Sequence, residues 1–247
     1  MNRRDTTTGL LVALTLVGGC MRHSGRLRLM HRHEQQRAVE QEPATFPQLE
    51  PVSNKSLGNL NTPQARKRIA KAAAKAVGKR GLRVKKQRYR PDCSGTVRAI
   101  YAQAGIDLGG RATFHGENDV SVLYRAVKEQ GGALHRDQPL PGDLLFFNAT
   151  HDRSGNGLFD DPLTHVGVVE KVLKDGTVVF VHHLRNSIVR SRMNPQHPRW
   201  RRHPKTKQRL NHELRRESRV GESATTGQLF AAYGRVPQTR ANRKKQG

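Results

Sequence analysis

The sequence predicts an α+β fold in which helices come first along the chain and antiparallel strands follow. Residues 62–130 hold three segments with helical periodicity, whereas residues 144–193 hold short apolar runs rich in valine. The dipeptide Asp175-Gly176 stands between two of those runs and is typical of a tight hairpin turn. Because helical and strand-like segments are segregated along the chain, we expect helices packed on an antiparallel sheet.

Each predicted helix has its own start signal or apolar face. The first begins after Thr62, a residue type that caps helix N-termini well. The second begins at Cys93 or Ser94, and its apolar residues recur at the spacing of one helix face (Val97, Ile100, Tyr101 and Ala104). The third and weakest covers residues 119–130. These segments supply the predicted helical layer.

The predicted strands follow the turn at residues 139–143. They are residues 144–147, 166–172, 178–184, 188–193 and 229–236. A polar and basic stretch, residues 197–227, separates the last strand from the others. We therefore expect the strand at residues 229–236 to return to the sheet after a long excursion.

Composition limits how much of the chain can pack. Hydrophobic residues make up 34% of 247, and the mean hydropathy is -0.75, so we expect a core of somewhat over 100 residues. Lys and Arg number 45 against 20 acidic residues, for a formal charge of +25. Such a charge favours polyanionic partners, and the segment Arg199–Arg219 is a candidate for holding anionic wall or lipid phosphate. A merely solvated basic surface is the alternative.

The N-terminus has the pattern of an export signal. Arg3 and Arg4 precede the apolar run LLVALTLV at residues 10–17, which is too short to span a bilayer. The following Gly-Gly-Cys20 resembles a bacterial lipoprotein signal, which implies cleavage before Cys20 and a diacylglycerol on its sulfur. Met21 after the cysteine implies the periplasmic side of the outer membrane. An ordinary secretory signal is the alternative, and either reading excludes nucleic acid as the target.

These features predict a domain organisation with one folded unit. It comprises a signal peptide at 1–19, a flexible tether at 20–61, a folded domain at 62–196, a basic insertion at 197–227, a returning strand of the domain at 228–237, and a basic tail at 238–247. We expect a monomer anchored to the membrane by lipid.

Cys93 is the second of two cysteines in the sequence. If Cys20 is lipidated, Cys93 is the one free thiol, and it is either a buried core residue or a nucleophile. At the first turn of a helix it lies among unpaired N–H groups and the positive end of the helix dipole, so we expect a lowered thiol pKa. The small residues Ser94 and Gly95 keep the helix start open to a substrate carbonyl, and with Asp92 they are predicted to bind substrate.

Two histidines follow at positions that suit a base and its partner. His165 opens a strand directly after a loop, and His182 lies on the neighbouring strand of the predicted hairpin. A thiol, an imidazole and an orienting polar group form the general arrangement of cysteine hydrolases. His183 competes with His182, because strand alternation sends the two side chains to opposite faces.

A loop before His165 carries oxygen ligands at alternating spacing. Asp152, Ser154, Asn156 and Asp160 match positions 1, 3, 5 and 9 of a calcium-binding loop, although position 12 is a leucine. A structural calcium ion and a plain Asx-rich turn are both consistent with this pattern. Zinc is less favoured, because the sequence has no HExxH motif and no second sulfur near Cys93. No cofactor is required.

Four motifs occur in order between residues 91 and 200: DCSG, LPGDLLFF, THVGVV and FVH. Together they resemble the NlpC-type cell-wall peptidases, a papain-like bacterial family. The resemblance implies a cysteine-bearing helix packed on an antiparallel sheet, with Cys93 as nucleophile, His165 as base and His182 as the orienting residue. It also implies peptidoglycan stem peptides as substrate, commonly cut between D-glutamate and diaminopimelate.

The chain departs from that family upstream of the cysteine. Family members generally have a tyrosine in a Tyr-x-x-Gly-Gly setting about a dozen residues before it, where this chain has Gly81 and Leu82. Backbone N–H groups at Cys93 are the alternative oxyanion donors. Two other functions remain open from the sequence: a non-catalytic, lipid-anchored wall-binding protein, and an acyltransferase that uses the same Cys–His pair.

Overall fold

The structure is a computed structural model that describes residues 62–109, 117–218 and 221–237. The predicted signal peptide, Cys20, the tether at 20–61 and the tail at 238–247 lie outside the described residues. Among the helices of those three ranges, none has the length and apolar character needed to cross a bilayer.

Three helices form where helical periodicity was found. They are α1 (Pro63–Ala76), α2 (Cys93–Gln103) and α3 (Asp119–Glu129). Each starts at a residue whose side chain accepts a hydrogen bond from a free N–H group of the first turn. Thr62 accepts from the Ala65 N–H at 3.3 Å, and Asn118 accepts from the N–H groups of Val120 and Ser121. The sequence therefore specifies these helix starts locally.

Ten strands complete the described fold. They are β1 (Arg83–Val84), β2 (Gln87–Arg88), β3 (Ala133–His135), β4 (Leu144–Phe147), β5 (His165–Val172), β6 (Val178–Leu184), β7 (Ser187–Met193), β8 (Glu213–Arg215), β9 (Ala224–Thr225) and β10 (Phe230–Arg235).

Six of these strands form one antiparallel sheet in the order β3-β10-β4-β5-β6-β7. The tight turn at Asp175-Gly176 joins β5 to β6, as the sequence predicts. Strand β10 returns to the sheet, but between β3 and β4 rather than at an edge. The α+β class with a helix packed on an antiparallel sheet is confirmed.

The sheet is covered on both faces. One face packs against the helices through alternate residues of each strand, including Phe146, Val166 and Val181. The second face carries Phe147 and Phe180 with their neighbours, and it packs against apolar residues of the segment 197–227 such as Leu214 and Ala224. The segment 197–227 therefore forms part of the core, because it shields the second face of the sheet from water.

A buried ion pair fastens β10 to the turn before β4. Arg235 donates from Nε and Nη2 to the two carboxylate oxygens of Asp143, at 2.9 and 2.7 Å. Asp143 also accepts from the Leu140 N–H at 2.8 Å, and Arg235 donates to the Gln138 carbonyl at 3.0 Å. Both charged groups are out of contact with water, so each depends on the other for compensation.

We expect Arg235→Met to lower the free energy of unfolding by about 3–5 kcal/mol, because it leaves a buried carboxylate without its partner. Urea denaturation followed by circular dichroism measures this. Arg190→Met is the matched control: its guanidinium pairs with Glu170 at 2.5 Å, but near the surface, and its loss should cost no more than about 1 kcal/mol. Equal losses in the two variants would contradict the stabilising role of the buried pair.

Candidate active site

The start of α2 is set by Asp92. Its carboxylate accepts from the Gly95 N–H at 2.7 Å and from the Ser94 hydroxyl at 2.9 Å, while its other oxygen pairs with Arg90 Nε at 2.9 Å. This is an N-cap, and it makes Cys93 the first helical residue. The Cys93 thiol is half-buried and packs against the apolar cluster on the helix side of the sheet.

Ser94 and Gly95 do not leave the helix start open, which corrects the expectation from the sequence. Both residues are buried, and a Cβ at Gly95 would overlap the Arg90 carbonyl oxygen. Glycine is needed here so that the preceding chain can cross the helix closely. Their placement indicates capping and packing, whereas Asp92 keeps some exposure at the rim of the site.

The thiol pKa is shifted in the direction opposite to the expected one. Burial raises the pKa of Cys93 to about 11, and the nearby Asp92 carboxylate adds to the rise. The backbone N–H groups of Val166, Ser94 and Cys93 itself act the other way, but they do not offset the burial. Cys93 is therefore a neutral thiol at pH 7, because the desolvation of a thiolate outweighs the helix N-terminus.

His165 and His182 meet across β5 and β6. His165 Nε2 lies 2.8 Å from His182 Nδ1, and the two rings are nearly perpendicular, at 88°. Both side chains are buried on the second face of the sheet, beside Phe147 and Phe180. The structure thus brings His165 and His182 together, as the sequence predicts.

His183 points away from this pair. Its Nε2 lies 3.1 Å from the carbonyl oxygen of Arg80, in the segment between α1 and β1. Strand alternation alone could not choose between the two histidines, because both faces of β6 are buried: Val181 belongs to the helix side, and Phe180 to the second face. The register of β5 against β6 selects His182.

Ser191 extends the pair to a third member that the sequence reading missed. It lies on β7, and its hydroxyl is 2.9 Å from His182 Nε2. The register of the β6–β7 hairpin is the signal that could have found it. This register places Ser191 opposite Phe180 and on the same face of the sheet as His182. The buried polar row therefore runs from His165 through His182 to Ser191.

Burial keeps both imidazoles neutral. It lowers the pKa of His165 to about 3, with smaller contributions from His151 and His183. Burial also lowers the pKa of His182 well below its usual value, and repulsion from His165 acts in the same direction. A neutral imidazole carries one N–H and one lone pair, so each ring in this row can donate at one nitrogen and accept at the other.

The start of α2 lies against β5, the strand that begins at His165. The N–H of Val166, the residue after His165, lies close enough to the Cys93 sulfur to favour its thiolate. Gly167 allows β5 to lie flat against β6, since a Cβ there would be 2.8 Å from the Phe180 ring and 3.2 Å from His182 Cβ. Because His165 Nε2 faces His182, Nδ1 is the ring nitrogen of His165 that lies outside this contact.

The loop between β4 and β5 has the Asx-rich turns that the sequence reading allowed. Asp152 accepts from the N–H groups of Gly155 and Gly157 at 2.7 and 2.9 Å, and the Asn156 amide donates to Asp160 at 3.3 Å. Among the described residues, no group of three His, Cys, Asp or Glu side chains is arranged to hold a metal ion. Calcium binding by this loop, with Ser154 as a further ligand, stays a prediction.

Comparison with known proteins matches the chain to a protein family. The NlpC/P60 family model matches residues 81–209, a range that contains Cys93, His165, His182 and Ser191. No curated protein matches the chain.

Two solved structures are similar to it. The NlpC/P60 domain of the peptidoglycan hydrolase SagA is 25% identical with a TM-score of 0.29, and the match covers 51% of this chain and 86% of that one. A protein similar to lipoproteins of the NLP/P60 family, from Staphylococcus aureus subsp. aureus Mu50, is 20% identical with a TM-score of 0.29. That match covers 58% of this chain and 39% of the staphylococcal one.

The raised thiol pKa predicts how Cys93 is alkylated. The rate with iodoacetamide should rise about tenfold per pH unit from pH 7 to pH 10, because thiolate is roughly 1 part in 10⁴ at pH 7 when the pKa is about 11. The Cys20→Ser variant leaves Cys93 as its one cysteine, and free N-acetylcysteine serves as the unburied reference. An alkylation rate that does not change with pH below pH 7 would show a preformed thiolate–imidazolium pair and contradict a neutral Cys93 thiol.

Proposed function

Because this chain belongs to the NlpC/P60 family, we propose that it is a cysteine peptidase that hydrolyses the stem peptides of peptidoglycan. In this proposal Cys93 is the nucleophile, His165 the general base and His182 the residue that orients it. The observation that carries the proposal is the buried hydrogen bond of 2.8 Å between His165 and His182, next to a helix that begins at a thiol. Both structures similar to this chain are described as NlpC/P60 proteins, and one of them is described as a peptidoglycan hydrolase.

The first chemical step starts from two neutral groups. As the Cys93 sulfur attacks the amide carbon, its proton moves to Nδ1 of His165, and the carbonyl oxygen takes up the negative charge. The N–H groups of Cys93 and Ser94 already face the sulfur, and at the positive end of α2 they suit the role of oxyanion donors. A neutral resting pair means that the proton leaves sulfur only as the new bond forms.

The second half of the reaction reverses the proton transfer. The imidazolium of His165 gives its proton to the leaving amine as the C–N bond breaks, which leaves a thioester on Cys93. Water then attacks the thioester, and His165 accepts a proton from that water. When the carboxylic acid leaves, the proton returns to the sulfur. His182 holds Nε2 of His165 throughout, so that Nδ1 stays directed at the reacting atoms.

The resemblance to NlpC-type peptidases supports a narrower substrate. We propose a bond of the D-glutamyl–diaminopimelate type as the scissile bond. The export pattern supports a place in the cell envelope, with a lipid anchor at Cys20 on the periplasmic side of the outer membrane. The net charge of +25 suits an anionic wall polymer as the surrounding medium.

A non-catalytic wall-binding protein is the second candidate. The observation that favours it is the thiol pKa of about 11, since a buried neutral thiol is a weak nucleophile until substrate enters. The two candidates differ in one outcome: a peptidase cleaves amide bonds in purified wall and depends on Cys93, whereas a binding protein does neither.

The test is digestion of purified peptidoglycan by the wild-type chain and by Cys93→Ala. We expect the substitution to lower the rate of release of free amines on the order of 10³-fold or more, because it removes the nucleophile. Cys20→Ser is the matched control and should retain the wild-type rate. Mass analysis of the fragments identifies the scissile bond, and equal release by wild type and Cys93→Ala would leave the second candidate.

A further inference from the structure

Ser191 carries a buried hydroxyl on the second face of the sheet, which it shares with His165 and His182. It is 4% exposed, and it shares that face of β7 with Met193 and lies opposite Phe180. A hydroxyl in such surroundings costs free energy unless it is hydrogen-bonded. Its partner is His182 Nε2 at 2.9 Å, and this contact joins it to the row that ends at His165.

The direction of each hydrogen bond in the row follows from the base that the reaction needs. To take a proton from sulfur, His165 must present a lone pair at Nδ1, so its one N–H is at Nε2. That N–H donates to His182 Nδ1, which must then be the unprotonated nitrogen of His182. The N–H of His182 is therefore at Nε2, and it requires an acceptor.

Ser191 Oγ stands at the place where that acceptor is required. Without an acceptor there, His182 would gain by moving its proton to Nδ1, since a buried N–H with no partner costs about 1–3 kcal/mol. His182 would then donate to His165 Nε2, and His165 would carry its own N–H at Nδ1. In that arrangement Nδ1 of His165 carries a proton instead of a lone pair, and His165 cannot act as the base.

We propose that Ser191 is a positioning residue that accepts a hydrogen bond from His182 and thereby holds both histidines in the tautomers that make His165 a base. The inference rests on the proposed function for the identity of the base. The direction of the hydrogen bonds also rests on it, but the tautomers that the inference predicts can be measured in the resting protein without an assay of activity. Ser191 acts through His182 and touches neither the thiol nor the substrate.

Two shape-matched substitutions separate the hydroxyl from the volume of the side chain. Ser191→Thr keeps the hydroxyl. Ser191→Val gives a side chain of nearly the same shape as threonine but without the hydroxyl. Both introduced residues are β-branched and suit a strand. Because Ser191 is 4% exposed, an added methyl group must pack inside the protein, and the cost of that packing is matched between the threonine and valine variants. Ser191→Ala removes the hydroxyl without adding volume and replaces the valine variant if that one fails to fold.

Kinetics on purified peptidoglycan give the first readout. We expect Ser191→Val and Ser191→Ala to lower kcat about 10- to 100-fold with KM within twofold of wild type, and Ser191→Thr to restore kcat to within about threefold. Equal values of kcat in the threonine and valine variants would overturn the role of the hydroxyl.

The ring ¹⁵N shifts of His165 and His182 at pH 7 give a readout that does not depend on catalysis. We expect wild type and Ser191→Thr to show the N–H at Nε2 in both rings, and Ser191→Val or Ser191→Ala to shift both rings towards the Nδ1–H form. Unchanged tautomers in the variants without a hydroxyl would overturn the proposal, whatever happens to the rate. If the tautomers shift but wild type cleaves no wall, the proposed function fails and the tautomer control by Ser191 stands.

Discussion

The hydrogen bond between His165 and His182 is the interaction around which the candidate site is organised. It exists because the pairing of β5 with β6 places both rings on the same face of the sheet. It stays dry because Phe147 and Phe180 flank the rings, and the segment 197–227 covers that face with apolar residues. In such surroundings a hydrogen bond is stronger than in water, and a polar group without a partner costs more free energy. The basic segment therefore shields the candidate site from water.

Burial also decides the charge state of the site at rest. The helix dipole of α2 and three backbone N–H groups near the Cys93 sulfur favour a thiolate. Desolvation and the Asp92 carboxylate favour the neutral thiol, and these two effects outweigh the others. The same desolvation keeps His165 neutral over the physiological range. A neutral pair protects a lone thiol from oxidation, because it is the thiolate that oxidants attack. In the proposed mechanism it also ties the proton transfer to the presence of substrate, whose developing oxyanion supplies the missing stabilisation.

Those parts of the fold that depend on neighbouring residues could be predicted from the sequence, and those that depend on distant ones could not. The start of α2 at Cys93 follows from the N-cap residue Asp92 directly before it, and the β5–β6 turn follows from Asp175-Gly176. The insertion of β10 between β3 and β4 is non-local, as is the pairing that brings Ser191 to His182. The thiol pKa was predicted in the wrong direction because a local dipole says nothing about what the rest of the chain buries.

The most direct test of this neutral, buried site is the titration of His165 itself. We predict that the ring resonances of His165, assigned by comparison with His165→Gln and followed by NMR, stay unchanged from pH 8 down to the acid limit of the folded state. Burial lowers its pKa to about 3, so the ring gains no proton in that range. A transition at pH 6 or above, the behaviour of a hydrated imidazole, would contradict the burial on which the proposed mechanism depends.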